Sequence, residues 1–375
     1  MDSLRGADTA ARLGGDEFGI LLEGMQDDVR ATDVAERMMA ALSAPFSIEG
    51  KELSIGGSIG IAFGDLDGRG AEASDDVLRN ADVAMYMAKE KGKGRYQVFE
   101  PKMHSVAIER LQLKADLQRA VSEGELVVHY QPIVALSSRR IEGVEALVRW
   151  RHPEQGMVPP DQFIPLAEET GVINAIGRMV LEEACSQAMI LQESCPQSPN
   201  LTMSVNISAR QLQRPDFPAE VREILDATGL TPGSLVLELT ESVMMEDMDT
   251  ALLRLDQLRG LGVRLAVDDF GTGYSSLNYI RQFPIDILKI DKSFVDELGD
   301  GEIDAVTGAI IALADVLELE PVAEGIENED QLARLLERGC RLGQGYFFHK
   351  PMPKEEAERV VRAQAGVHEL ATGAA

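Results

Sequence analysis

The sequence predicts an α/β protein: a (β/α)8, TIM-like barrel with an antiparallel first strand, preceded by a smaller α+β unit. Three observations predict it. From Glu125 onward, short apolar runs alternate with amphipathic stretches of ten or more residues, the pattern of strands joined by crossover helices. The runs are 126–136, 141–150, 201–207, 235–239, 263–267, 285–290, 321–326 and 345–348, and eight of them within residues 125–365 suit a closed barrel. The first two are joined only by the polar turn Ser137-Ser138-Arg139-Arg140. No crossover helix fits there, so the first strand has to run antiparallel to the second.

In chain order, Gly14-Gly15 reads as a tight turn and 18–22 as the returning strand, which puts Asp16 and Glu17 at a hairpin tip. A helix is expected around 33–42, strands near 46–48 and 53–63, a helix over 74–91 with Ser74 as N-cap, and a strand at 96–99. Val106, Ile108, Leu111, Leu117 and Val121 have the apolar spacing of a connecting helix, which Gly124 ends. Barrel helices are expected at 172–192, 217–228, 248–261, 303–317 and 329–337. The chain therefore divides into 1–100, a connector at 101–124, a barrel at 125–365, and a small polar tail at 366–375 expected to be disordered.

Composition narrows the function. The 375 residues suit a barrel with a smaller companion, and 45% hydrophobic content supports a packed core. The formal net charge of -27 repels polyanions, which excludes general binding to nucleic acid or anionic lipid. A small anion held by metal ions and a few cationic side chains stays allowed. Cys185, Cys195 and Cys340 form no CxxC, so neither a disulfide framework nor a thiolate zinc site is indicated. A cytoplasmic location fits, and no apolar stretch approaches a membrane span. The start lacks the apolar core of a signal peptide, so any anchor or sensor segment is expected outside this chain.

Catalytic groups of such a barrel gather at the C-terminal ends of its strands. Polar residues stand there in run after run: Glu145, Asn206 in SVNIS, Glu238 in LELTES, Asp268 and Asp269 closing RLAVDD, Lys289 in DILKID, Glu324 and Glu327 around Gly325-Ile326, and Gln344 in GQGYFF. Alone, Asp268-Asp269 before a Gly-Thr-Gly turn fits a solvated Asx turn. Several acids projecting to one mouth repel one another unless cations bind them. Oxygen donors without a His or Cys cluster point to Mg2+ or Mn2+ rather than zinc. Two such ions about 3.5–4 Å apart form the usual clamp for in-line phosphoester hydrolysis. Lys289 suits orienting the water or neutralising developing charge, with a salt bridge as its simpler role. Arg149 near the mouth suits a substrate phosphate, with a surface ion pair as its simpler role.

Two resemblances rest on these motifs. ARLGGDEFGILL, GGSIGIAF and LRNADVAMYMAKEKGKGRY, within residues 3–100, resemble the C-terminal portion of a GGDEF (diguanylate cyclase) domain. The family's opening strand–helix segment, with a further acidic ligand, has no counterpart, so the fragment is not expected to make cyclic di-GMP by itself. The resemblance implies that Asp16 and Glu17 match active-site acids and that Lys89 and Lys93 match phosphate contacts. Arg5 and Asp8 match an inhibitory product site, with a helix-surface ion pair as the simpler reading. It implies GTP or cyclic di-GMP as the ligand of this unit, in a regulatory or vestigial role.

YQPIV, EALVRWRHP, SVNIS, LELTES, VDDFGTGYSSL, IDILKIDKSFV, VAEGIEN and GQGYFFHKPMP, in that order over residues 108–363, resemble an EAL-type cyclic di-GMP phosphodiesterase. The resemblance implies hydrolysis of cyclic di-GMP to linear pGpG in bacterial signalling, with two Mg2+ or Mn2+. It implies Glu145, Asn206, Glu238 and Asp268 as ligands of one metal, with Asp268 bridging to a second held by Asp269 and Glu324. Catalysis falls to Lys289, Glu324 and Asp269; Gln131, Arg149 and Gln344 contact the nucleotide. Glu241 and Glu327 support from behind, Glu241 bracing the DDFGTG loop. A homodimer through the EAL domain is implied as well. Two alternatives are a non-catalytic cyclic di-GMP receptor, against which the intact acids count, and a bifunctional cyclase–phosphodiesterase if the missing opening segment of the GGDEF domain is restored.

Overall fold

The computed structural model describes residues 4–24, 29–44, 46–48, 51–53, 55–64, 70–90, 92, 94–195, 201–271, 281–299 and 301–372. Two compact units, Met1–Leu113 and Lys114–Ala375, divide within one helix, Lys102–Glu123.

In the first unit, β1 (Thr9–Gly14) and β2 (Glu17–Leu21) form an antiparallel hairpin. Its turn uses Gly15 at φ 53°, where a side chain would be strained. β3 (Phe46–Ile48) pairs antiparallel with β4 (Lys51–Leu53), and β5 (Ile59–Ile61) pairs parallel with β6 (Tyr96–Val98). The single strand expected over 53–63 is thus two short ones, split around Gly56-Gly57, which offer no side chain to pack. Ser74 is not an N-cap: the helix Gly70–Glu90 begins a turn earlier, because Ala71, Glu72 and Ala73 are good helix formers. Gly60 lets this helix approach β5, since a Cβ there would sit 1.9 Å from the Ala81 carbonyl oxygen.

The second unit is the barrel. Its strands are β7 (Leu126–Ala135), β8 (Arg140–His152), β10 (Thr202–Asn206), β11 (Leu235–Thr240), β12 (Arg264–Phe270), β13 (Ile287–Ile290), β14 (Glu320–Ala323) and β15 (Leu342–Gly343). They close in that order, β15 returning to β7. β8 to β15 run parallel, while β7 is antiparallel to both neighbours, as the short SSRR turn requires. β9 (Gly156–Val158) extends β8 as a hairpin, and β16 (Met352–Pro353) pairs with β7. Ile133, Val236, Ala266, Ile287 and Val322 pack inside with Leu342. Crossover helices include Ile173–Ser194, Phe217–Thr228, Met248–Arg259, Gly301–Val316 and Glu329–Glu337. The last begins in a capping box in which Asn328 and Gln331 satisfy each other's backbone N–H groups.

Two expectations for the barrel and the tail also fail. The eighth strand is Leu342–Gly343, not 345–348, and Tyr346–Phe348 form a turn. Aromatic β-propensity loses to packing here: a Cβ on Gly345 would lie 2.1 Å from the Ile326 carbonyl oxygen. The chain leaves the sheet and folds over Ile326, whose N–H donates to the Gln344 carbonyl (3.1 Å) and whose carbonyl accepts from the Phe347 N–H (2.9 Å). The tail is not structureless up to residue 372, because the helix Lys354–Thr372 runs through it. Ala, Glu and Leu favour the helix on either side of Gly366, which costs only about 1 kcal/mol. Residues 373–375 lie outside the described ones. Among the described residues, no helix is long and apolar enough to cross a membrane.

Candidate active site

Strand register brings the expected residues to one mouth. Gln131 of β7 lies opposite Glu145 of β8, and Asn206 of β10 lies opposite Glu238 of β11. Regular alternation would send Asp268 and Asp269 of β12 to opposite faces. The register with β13 breaks between Val267 and Phe270, and Asp269 adopts φ 53°. This bulge, with one residue in the left-handed region, re-aims the pair. The Asp269 N–H donates to Asp268 Oδ1 at 3.0 Å, and Asp enters the left-handed region more readily than most side chains. Carboxylate oxygens of Asp268, Asp269 and Glu324 then lie within 4.8 Å of one another, a set able to hold a metal ion.

Lys289 of β13 stands at the centre, 1% exposed. Its Nζ is 2.6 Å from Glu238, 2.7 Å from Glu324, 3.2 Å from Asp268 and 3.6 Å from Glu145. Asn206 Nδ2 donates to Glu145 Oε1 (2.8 Å), and Gln344 Nε2 donates to Glu145 Oε2 (2.7 Å) and Glu324 Oε1 (2.9 Å). One ammonium therefore faces an excess of carboxylates. Burial opposes its charge, but Glu145, Glu238, Glu324 and Asp268 hold Lys289 well above the usual lysine range.

The acids split by their donors. Burial opposes ionisation of Glu145, yet Lys289 and the amides of Gln344 and Asn206 hold it below its ordinary value. Glu238 is pushed well up by burial, because Lys289 has to offset both that and the charges of Glu145 and Asp268. Burial, then Asp268 and Asp291, raises Asp269 to about 6. Burial raises Glu324 to about 8, with Asp268 and Glu145 adding to it against Lys289.

Such a site is short of positive charge, and its donors are hard oxygens. One further atom points the same way: Gln344 Oε1 is buried without a hydrogen-bond partner. A carbonyl oxygen left open beside carboxylates suits a hard divalent cation or its water shell. The donor set therefore fits a hard divalent cation.

The remaining expected residues are dispersed around this centre. Gln131 Nε2 donates to the His349 carbonyl at 3.1 Å. Arg149 donates to the Val148 carbonyl at 2.8 Å and lies within electrostatic reach of Glu145. Glu241 is buried at the start of the helix Glu241–Glu246, while residues 272–280, including the rest of the loop it was expected to brace, lie outside the described ones. Glu327 is exposed and pairs with Lys292 at 2.5 Å instead of touching an acid of the cluster. Gly325 at φ 69° turns the chain so that Ile326, not Glu327, is buried. In the first unit, Asp16 and Glu17 are exposed at the β1–β2 turn. Asp8 has a side chain only 1% exposed, which accepts from the Arg5 N–H (2.8 Å) and faces Arg30 (3.5 Å), so the Arg5 guanidinium is not its partner. Lys89 is exposed, and Lys93 lies outside the described residues.

Sequence reasoning missed Asp291, which accepts from the Ser293 N–H to cap the helix Lys292–Asp296 and adds charge beside Asp269. The available signal was Asp291 itself just after the strand, since Asp is a favoured N-cap residue whose carboxylate accepts the backbone N–H two residues on.

The family model of the EAL domain matches residues 114–351. This chain belongs to the EAL domain family. The model of the diguanylate cyclase, GGDEF domain matches residues 1–95, ahead of the EAL domain. The chain is 43% identical over 355 residues to the bifunctional diguanylate cyclase/cyclic di-GMP phosphodiesterase MucR of Pseudomonas aeruginosa, covering 94% of this chain and 51% of that protein. It is 37% identical over 350 residues to the cyclic di-GMP phosphodiesterase PdeR of Escherichia coli, covering 93% of this chain and 52% of PdeR. The chain thus spans about half the length of these curated relatives. The EAL barrel superposes on the PaMucR phosphodiesterase in complex with c-di-GMP with a TM-score of 0.63 at 44% identity, covering 66% of this chain and 99% of that one. The FimX EAL domain from Pseudomonas aeruginosa bound to c-di-GMP gives a TM-score of 0.58 at 26% identity, covering 64% of this chain and 96% of that one.

Proposed function

We propose that this EAL domain is a metal-dependent phosphodiesterase that hydrolyses one phosphodiester bond of cyclic di-GMP to give linear pGpG. The observation that carries the reading is the buried Lys289 among Glu145, Glu238, Asp268 and Glu324, with Asp269 alongside. Relatives of this family named for the same activity, and solved EAL domains with the same dinucleotide bound, support it.

Glu145, Asn206, Glu238 and Asp268 would hold one divalent ion, with Asp268, Asp269 and Glu324 holding a second. Mg2+ or Mn2+, when bound, supplies Lewis acidity at the phosphate and makes hydroxide accessible near neutral pH. Lys289 then keeps its proton and offsets the negative charge that grows on the phosphoryl oxygens. Water adds its oxygen to phosphorus, the bond to one sugar oxygen breaks, and the leaving oxygen receives a proton. Arg149 and Gln131, at the rim, orient the dinucleotide, while Gln344 fixes Glu145 and Glu324 against each other. Glu241 and Glu327 support the loops after β11 and β14.

We propose further that residues 1–100 act as a GGDEF unit that takes GTP or cyclic di-GMP in a regulatory role, through Asp16, Glu17 or Arg5 and Asp8. Residues 101–124 connect it to the catalytic barrel of 125–365, which dimerises. Chromatography of the products of cyclic di-GMP with Mg2+ or Mn2+, for the wild type and Glu145→Ala, tests the main reading. Formation of pGpG by the wild type alone is expected. Tight binding without product from either protein would replace the enzyme with a receptor.

A further inference from the structure

We propose that the lower half of the barrel lumen is a second binding site, for a small neutral, largely apolar molecule carrying one hydroxyl or N–H group. Along a strand, the residue two positions before an inward-facing one also faces the lumen, one step lower. Beneath Glu238, Lys289 and Glu324 these residues are Val236, Ile287 and Val322. Beneath Glu145, Asn206 and Asp268 they are Gly143, Ser204 and Ala266. One half of this layer is bulky and the other half is glycine, serine or alanine, so the layer does not fill the barrel. Gly143 has no room to be larger, since a Cβ there would lie 2.4 Å from Thr202 Oγ1.

The space left is a cavity of about 540 Å3. Its walls are Ile133, Val236, Ile287, Val322 and Leu342, and its roof is Lys289 and Glu238. The charged ends of the two roof residues meet each other at 2.6 Å within the carboxylate cluster, so their methylene stems face down. At its other end the cavity reaches Arg264 and Glu320, the first residues of β12 and β14, on the face of the barrel opposite the active mouth. Barrels of this kind normally fill their interior with side chains, and a void of this size falls in the range of small-molecule sites.

One buried polar side chain aims into this space. Ser204 is 3% exposed and lines the cavity, and its hydroxyl has no hydrogen-bond partner among the described residues. A buried hydroxyl is costly to leave unsatisfied, so its partner is expected from a molecule in the cavity. Apolar walls with one such hydroxyl select a neutral apolar molecule with a single group to hydrogen-bond. No charge on the ligand is called for, because Arg264 at the opening is already paired with Glu320 at 2.7 Å. The simpler account, a water-filled hollow, predicts no specific affinity for apolar solutes.

Isothermal titration calorimetry of the full chain in saturating Mn2+ separates these accounts, with p-cresol and toluene as probes. The two have nearly the same shape, and only p-cresol carries a hydroxyl. The wild type should bind both, p-cresol more tightly. Ser204→Ala should weaken p-cresol roughly 2- to 13-fold, the range of one neutral hydrogen bond, and leave toluene within about twofold. Val236→Phe fills the cavity and should abolish binding of both probes, while a cooperative melt followed by Trp150 fluorescence verifies its fold. If that variant does not fold, the Ser204→Ala comparison decides by itself. No binding of either probe to the wild type at about 1 mM overturns the proposal. So does p-cresol affinity unchanged in Ser204→Ala, or probe binding that survives in a folded Val236→Phe, which would place the probes elsewhere.

Discussion

Replacing Lys289 with Met tests the electrostatic logic of the site without its chemistry. Met keeps an unbranched apolar stem of similar length, so packing beneath the site changes little. What is lost is the cation that lies between 2.6 and 3.6 Å from four carboxylates. Removing one partner of a buried ion network costs about 3–5 kcal/mol. Proton uptake by Glu238 and Glu324, both pushed upward already, relieves part of it. At about 2–4 °C per kcal/mol for a barrel of this size, the transition should fall by roughly 6–20 °C in EDTA at neutral pH. The chain has a single tryptophan, Trp150, which is fully buried in β8, so its fluorescence follows unfolding of the barrel alone. Saturating Mn2+ should then raise the variant more than the wild type, because no ammonium competes for the carboxylates; binding at 100 times Kd is worth about 2.7 kcal/mol. A variant that melts with the wild type in EDTA, or gains no more from Mn2+, would refute the reasoning.

Metal affinity should rise with pH. Glu324, raised from 4.5 to about 8, and Asp269, raised from 3.8 to about 6, must shed protons to bind a cation. The same shifts make the metal-free protein lose stability as pH climbs from about 4 to 8, because over that window the folded state holds protons the unfolded state has released; a flat Mn2+ affinity from pH 6 to 8.5, or a metal-free stability that climbs with pH, would contradict this. Asp269→Asn should keep the fold, since Asn tolerates its φ of 53°, while turnover with Mn2+ falls at least roughly tenfold. Asp269→Val adds backbone strain and should cost about 1–2 kcal/mol more in urea unfolding than Asn, and equal stability of the two would argue against the bulge. Gly345→Ala would push a Cβ to 2.1 Å from the Ile326 carbonyl oxygen. It should destabilise the barrel by about 1–3 kcal/mol and impair turnover by displacing Gln344, measured by denaturation and hydrolysis on one preparation.

The sequence by itself determined the eight-strand count, the reversed first strand and the chemical character of the mouth. Each is written in local terms: apolar runs at crossover spacing, a four-residue turn too short for a helix, and acids without His or Cys partners. Only tertiary structure decided how Asp268 and Asp269 come to share one face, because strand alternation forbids it and the bulge depends on pairing with β13. It also moved the eighth strand from the aromatic run to Leu342–Gly343, since the space around Gly345 belongs to Ile326, which is distant in sequence. Glu327 resembled the other acids in the sequence, yet the turn at Gly325 aims it at Lys292. Lys289 was legible as one lysine in an apolar strand, but its place among four carboxylates from four other segments exists only once the barrel closes. Periodicity fixes which way a side chain points along its own strand, whereas the partners it meets across a closed sheet are set by register and packing, which no local stretch encodes.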